Sequence, residues 1–165
     1  MNLVVFLLLS LFSIVLQSTV FVDLTVFGVK PDLILVLTVL FSIFCGPQKG
    51  GALGFFVGLL QDLYLGGFIG MSALAKGMTC AMTGWIAKGA FRENMLVPII
   101  ALFMGTLLHE SVYLILGKLI GLPWGWSLWL WRGIPTALYN ACLVPFVYSF
   151  FYDWAAQKNE ELQTL

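Results

Sequence analysis

The sequence predicts an all-α integral membrane protein, a bundle of six transmembrane helices in a single domain of residues 1–165. Hydrophobic residues make up 61% of the chain and charged residues only 10%, whereas a soluble domain usually carries about 25% charged residues. Long apolar segments also alternate with short polar or glycine- and proline-rich breaks. Because a soluble domain of this size would expose large apolar patches to water, we expect lipid to be the solvent of its surface.

A helix crosses a bilayer with about 20 mostly apolar residues. The second predicted span is shorter than this, and we expect it to lie where the bilayer is thin or where protein covers it. The N-terminal segment lacks the basic region and clean cleavage site of a secretory signal, which predicts a retained first span. The six predicted spans are Leu3 to Val22, Pro31 to Cys45, Gly50 to Leu65, Met71 to Lys88, Met95 to Ile120 and Gly133 to Tyr152.

The positions of lysine and arginine predict the orientation, because these residues accumulate in cytoplasmic loops. With the N-terminus inside, the outer segments hold Lys30, with Lys118 and Arg132 at span edges. The bias is modest and favours both termini in the cytoplasm. The basic residues on the inner side are then Lys49, Lys88, Arg92 and Lys158.

The third span carries glycines at every fourth position, and the next step of four reaches Asp62. Residues four apart lie on one helical face, so Gly50, Gly54 and Gly58 form a face without side chains that another helix can approach closely. We expect this face to pack on a helix, of this chain or of a partner, rather than to form a ligand groove. Asp62 would lie near the outer surface, where it would be solvated, cap a neighbouring helix or pair with a cation.

Between the fifth and sixth spans, the segment "LPWGWSLWLWR" brings several tryptophans together. An indole has an apolar body and one N–H for the headgroup layer, so membrane anchoring is the first interpretation. A partner-binding surface is the alternative, with Trp126 and Trp129 as its candidate contacts.

The charge balance and the cysteines exclude several functions. Eight basic residues balance eight acidic ones, which disfavours nucleic-acid binding. Cys45, Cys80 and Cys142 lie far apart without a C-x-x-C pair, and there is a single histidine, so we expect neither a metal site nor a disulfide framework. No cofactor is predicted.

Two motif-like segments also fail to predict an enzyme. The segment "HESVY" begins like a zinc-protease helix, but Tyr113 occupies the position of the second histidine. The segment "GPQKGG" lacks the Lys-Ser/Thr pair of a phosphate-binding loop and opens a membrane helix. We therefore expect no catalytic residues.

Polar residues inside the spans are costly to bury without a partner, so each is a candidate functional residue. A structural ion pair that fixes helix register is the simpler interpretation, and a proton or ion relay through Glu110, Lys76 and Asp62 is the alternative. The candidates are Gln17, Lys76, His109, Glu110, Arg132 and Asn140.

Three segments within residues 16–90 carry a family resemblance: "LQST", "KPDLILVL" and "GALGFFVGLLQDLYLGGFIGMSALAKGM". They resemble MreD, the small multispan rod shape-determining membrane protein of bacteria. No catalytic role is assigned to the positions that match the family pattern. These positions are Pro31, Asp32, Gly54, Gly58, Asp62 and Gly70.

The resemblance implies a non-enzymatic scaffold of the cell-elongation machinery in the bacterial cytoplasmic membrane. It implies binding to MreC, and through MreC to MreB and the peptidoglycan synthases. The family fold is similar to the substrate-binding subunits of energy-coupling-factor transporters, so a vitamin-type transporter subunit is the alternative function. Those subunits usually present an A-x-x-x-A helix to their coupling partner, whereas the first span here reads "LLLSLFSIVLQST".

Overall fold

The computed structural model describes residues 3–19, 29–87 and 95–163. Over these residues the chain forms six α-helices, close to the six predicted apolar segments. The predicted end of the first span at Val22 and that of the fourth at Lys88 lie outside the described residues, as does Arg92. The helices are α1 (Leu3–Thr19), α2 (Leu33–Cys45), α3 (Pro47–Leu65), α4 (Met71–Ile86), α5 (Leu96–Leu119) and α6 (Trp126–Gln163).

Helix α2 is the centre of the bundle, because it contacts each of the other five helices. It has 13 residues, of which nine are buried. At 1.5 Å per residue it is about 20 Å long, shorter than a hydrocarbon core of about 30 Å. We expected this short segment to lie in a thin part of the bilayer or to be covered by protein. In the structure it is covered by protein.

Helices α3 and α4 form the most closely packed pair in the fold, and the glycines of α3 lie in their contact. A Cβ atom added at Gly58 would lie 2.6 Å from the Ser72 carbonyl oxygen, and one at Gly54 would lie 2.9 Å from the Lys76 carbonyl oxygen. Gly50 instead lies against Ser42 of α2. The helix backbones therefore approach so closely at these glycines that no side chain fits between them. This approach maximises van der Waals contact between the helices.

Three of the predicted boundaries are wrong, the start of α3 and both ends of α6. Helix α3 begins at Pro47, three residues before the predicted start at Gly50, because proline suits the first helical position and Gly46 alone makes the connection at φ 92°. Helix α6 extends beyond the predicted span in both directions, from Trp126 to Gln163, so Pro135 lies inside the helix rather than near its start. The tryptophan segment is thus partly helical and not a loop.

Around a hydrophobic core, several polar side chains are buried while many large apolar side chains lie at the surface. Lys76 is 1% exposed and Asn140 is fully buried, whereas Phe146 is 80% and Trp131 78% exposed. Such large apolar side chains at the surface are stable when the surrounding solvent is apolar, and polar groups inside a membrane bundle face one another. The arrangement indicates a surface that faces lipid.

Helix α5 alone among the described helices is long and apolar enough to cross a membrane without help from its neighbours. It has 24 residues and a mean hydropathy of 1.8 over its most apolar stretch, of which only 28% is buried. A core helix of a soluble protein would be mostly buried, so the exposed apolar surface of α5 agrees with contact to lipid.

Candidate functional site

An ion pair between Asp32 and Lys76 lies at the centre of the candidate site. Asp32 is the N-cap of α2, and its Oδ1 accepts a hydrogen bond of 2.9 Å from the backbone N–H of Leu35. This cap arises because the carboxylate satisfies one of the free N–H groups in the first turn of the helix. Oδ2 of the same carboxylate is the partner of the Lys76 ammonium group.

Polar groups from three further helices surround the ion pair. The Asn140 side chain accepts from the Asp32 backbone N–H at 2.9 Å and donates to the Thr106 hydroxyl at 3.2 Å. Nε2 of Gln17 lies 3.4 Å from Asp32 Oδ1 and 3.3 Å from the Pro31 carbonyl oxygen. The network therefore joins α1, α2, α4, α5 and α6, and it gives these buried polar groups the partners that a low-dielectric interior requires.

Asp62 lies one helical turn after Gly58, at the C-terminal end of the glycine face. Its side chain is 5% exposed and caps α4. Its carboxylate accepts from the backbone N–H groups of Gly70 at 2.9 Å, Ser72 at 3.0 Å and Ala73 at 3.3 Å. The negative charge is favourable there because the N-terminus of a helix carries a partial positive charge. The sequence left three environments open for Asp62: solvation, capping of a neighbouring helix or pairing with a cation. In the structure Asp62 caps a neighbouring helix.

We expect Asp62→Ala to lower the free energy of unfolding by about 1–3 kcal/mol, because it leaves buried N–H groups of α4 without an acceptor. Denaturant unfolding in detergent micelles measures this change. Asp62→Asn keeps one carbonyl oxygen and is the matched control, for which the loss should be smaller. Equal stability of the alanine variant and the parent protein would contradict the capping role.

His109 is buried beside the polar network around Asp32. Neither of its ring nitrogens has a hydrogen-bond partner among the described residues. Its Nδ1 lies 3.8 Å from Glu110 Oε1. The ring stacks on Tyr113, with centroids 5.9 Å apart, and Tyr113 stacks on Trp124 at 5.7 Å. The aromatic stack fixes the position of the imidazole without using its nitrogens.

A cavity of about 500 Å³ opens beside Asp32, at the end of the bundle where α2 and α4 begin and α3 ends. Its wall is mixed, with apolar side chains from α1 and the segment before α2. Six of its polar side chains are Gln17, Lys30, Asp32, Gln61, Glu110 and Arg132. The Oε1 atom of Gln61 is buried and has no hydrogen-bond partner in the described part of the chain.

The two tryptophans singled out in the sequence have different environments. Trp126 is 65% exposed, and the Lys118 ammonium group lies 4.2 Å from its ring centroid. Trp129 is half-buried, and its indole N–H donates to the Ser111 hydroxyl at 2.9 Å. Trp129 thus ties α6 to α5, whereas Trp126 faces outward.

The structure brings together some of the predicted site residues and separates others. Gln17, Lys76 and Asn140 meet at Asp32, while Asp62 lies at the α4 N-terminus and bonds there to backbone groups. A relay that pairs Asp62 with Lys76 has no direct contact in this arrangement, because Lys76 bonds to Asp32. Within residues 3–19, 29–87 and 95–163, no group of three or more His, Cys, Asp or Glu side chains is placed to hold a metal ion.

Sequence reasoning missed two parts of the site. It did not pair Asp32 with Lys76, although the Pro-Asp dipeptide before an apolar helix is a recognisable helix start. It also missed Thr106 and Gln61, for which the sequence carries no signal, because their roles depend on which helices become neighbours.

An apolar exterior, and buried polar side chains that form hydrogen bonds between helices, define the class: a helical membrane protein. The model of the family described as rod shape-determining protein MreD matches residues 1–154 of the 165-residue chain. The chain therefore belongs to the MreD family and has a role in rod shape determination. Comparison with curated proteins and with solved structures gives no significant match.

Proposed function

We propose that this chain is a non-enzymatic membrane scaffold of the cell-elongation machinery, which holds MreC and through it MreB and the peptidoglycan synthases. The observation that carries the proposal is the family match over residues 1–154. The geometry supports it, because Asp32, Lys76, Asn140 and Asp62 bond to other groups of the chain and stabilise helix contacts. These contacts give each of the four side chains a structural role.

The proposal includes six spans across the bacterial cytoplasmic membrane, with both termini in the cytoplasm and one domain over residues 1–165. A fold similar to the substrate-binding subunits of energy-coupling-factor transporters is part of the same proposal. In this orientation the Asp32 end of the bundle and the 500 Å³ cavity face the outside. The exposed apolar helix faces are then available to lipid and to the membrane helices of partners.

The orientation predicts which positions a membrane-impermeant thiol reagent reaches. In a variant with Cys45, Cys80 and Cys142 replaced by serine or alanine, a cysteine at Thr25 should be labelled in intact cells, and one at Asn159 only after the membrane is opened. Mass shift on a gel measures the labelling. Labelling of the Asn159 position in intact cells would show that the C-terminus is outside.

The outward face of α6 at Trp126 is a candidate contact for a partner, because exposed tryptophans often dominate binding energies. Trp126→Ala should reduce the amount of MreC that co-purifies and leave the melting temperature unchanged. Trp129→Ala is the comparison variant, and we expect it to lower the melting temperature because it removes the bond to Ser111. If Trp126→Ala retains MreC like the parent protein, Trp126 is an anchor in the headgroup layer only.

Cell shape tests the proposed function itself. Depletion of this chain in a rod-shaped host should give rounded cells, measured as a fall in the ratio of cell length to width. Expression of the parent sequence from a second copy should restore the ratio. Normal shape after depletion would contradict the proposal.

The alternative function, a substrate-binding subunit of a small-molecule transporter, is favoured by one observation, the polar-lined cavity at the Asp32 end. A scaffold does not require such a cavity. Saturable uptake of a solute by the purified protein in liposomes, together with normal cell shape after depletion, would favour the transporter.

A further inference from the structure

The cavity beside Asp32 has the size and the wall of a small-molecule site. Its volume of about 500 Å³ falls within the range of roughly 300–1,000 Å³ that is usual for ligand sites, and its mixed wall also matches such sites. Empty cavities in well-packed proteins are few and apolar, whereas polar ones hold water or a ligand. This one combines apolar side chains with charges of both signs.

Some charged side chains in the cavity wall have no partner of opposite charge among the described residues. Asp32 is neutralised by Lys76. In the described part of the chain, by contrast, no carboxylate oxygen lies within 4 Å of the Lys30 ammonium or the Arg132 guanidinium group, and the nearest basic atom to Glu110 is His109 Nδ1 at 3.8 Å. Among the described residues, the cavity therefore offers two cations without a carboxylate partner, together with the Glu110 carboxylate, whose basic neighbour is the His109 imidazole.

Gln61 supplies a second, independent observation. Gln61 is a residue of the cavity wall, and its buried Oε1 atom has no hydrogen-bond donor among the described residues. A buried carbonyl oxygen without a donor is unfavourable. If the Gln61 amide rotates toward the cavity, a ligand with an N–H group provides the missing hydrogen bond.

We propose that this cavity binds a zwitterion that carries both a carboxylate and an ammonium group, as an amino acid or the end of a short peptide does. Arg132 binds the carboxylate, because guanidinium and carboxylate groups form two parallel hydrogen bonds. Glu110 binds the ammonium group and Gln61 accepts an N–H. The excess of one cation in the wall favours a ligand of net charge zero or −1.

The proposal concerns the cavity alone and goes beyond the scaffold role, so the two can fail separately. Retention of MreC and cell shape test the scaffold, whereas binding of a peptide tests the cavity. Neither outcome decides the other.

Calorimetric titration of the full chain in nanodiscs with glutamate and with the dipeptide alanyl-glutamate tests the proposal. We expect saturable binding of at least one of the two, and the preference between them identifies a free amino acid or a peptide end as the source. N-acetylation or C-amidation of the bound probe should weaken its binding at least tenfold, since each removes one charge of the zwitterion. Absence of saturable binding for both probes, or equal binding of the blocked and unblocked forms, would overturn it.

Variants of the cavity wall test the assignment of each group. Arg132→Gln and Glu110→Gln should each weaken binding at least tenfold without changing the melting temperature. Lys118→Gln is the matched control, because it removes an exposed cation that does not line the cavity, and it should leave binding unchanged. If Glu110→Gln does not fold, Gln61→Leu tests the contribution of another residue of the cavity wall to binding. Unchanged binding in the Arg132 and Gln61 variants would overturn the proposal.

Discussion

Asp32→Asn should lower the free energy of unfolding by about 3–5 kcal/mol, because it leaves the Lys76 ammonium group without its counter-ion. Lys76 is 1% exposed, so water cannot replace the lost partner. Asparagine is itself a good N-cap and keeps an acceptor for the Leu35 N–H, so the loss reports the ion pair rather than the helix cap. Denaturant unfolding in detergent micelles measures it.

A second variant separates the ion pair from other effects of the substitution. Lys76→Met replaces the ammonium group by an apolar side chain of similar length, and the double variant Asp32→Asn with Lys76→Met removes both charges. Because a buried pair is often no more stable than apolar groups of similar volume, the double variant should be more stable than Asp32→Asn alone. A double variant whose loss equals the sum of the two single losses would show that the residues do not interact.

Gly58→Ala should lower the free energy of unfolding by about 1–3 kcal/mol, because the added methyl group meets backbone atoms that cannot rotate away. The new Cβ would lie 2.6 Å from the Ser72 carbonyl oxygen and 2.7 Å from Ala73 Cα. Gly54→Leu should cost at least as much, since its longer side chain meets the α4 backbone at Lys76. Denaturant unfolding in detergent micelles measures the loss of stability in both variants.

Gly67→Ala is the matched control for the glycine face. A Cβ at this position meets nothing within 4 Å, so the substitution should leave stability within about 0.5 kcal/mol of the parent protein. If Gly58→Ala is as stable as Gly67→Ala, the close approach of α3 and α4 does not contribute to the stability of the fold.

The helix positions were predictable because they depend on local signals. Apolar length and the glycine- and proline-rich breaks act within a few residues, and the positive-φ glycines Gly46 and Gly66 lie at two of these breaks. The predicted start of the sixth span at Gly133 placed Pro135 near the start of the helix, where proline is favoured, while in the structure the preceding turns are helical as well. Proline inside a helix loses a hydrogen bond but does not always end it.

The candidate site was less predictable, because its contacts join residues far apart in the chain. The sequence indicated that Lys76 and Asn140 need partners, since unpaired polar groups inside a membrane are costly. It did not indicate that both would meet Asp32, which is separated from Asn140 by 108 positions. Which helices become neighbours is a property of the whole bundle.

The amount of MreC that remains bound after purification of this chain from detergent-solubilised membranes tests the central claim most directly. The scaffold account predicts that MreC co-purifies in a constant ratio, without added ligand, and that the ratio falls in Trp126→Ala. Purification of the folded chain without MreC, from cells that express both proteins, would contradict the account.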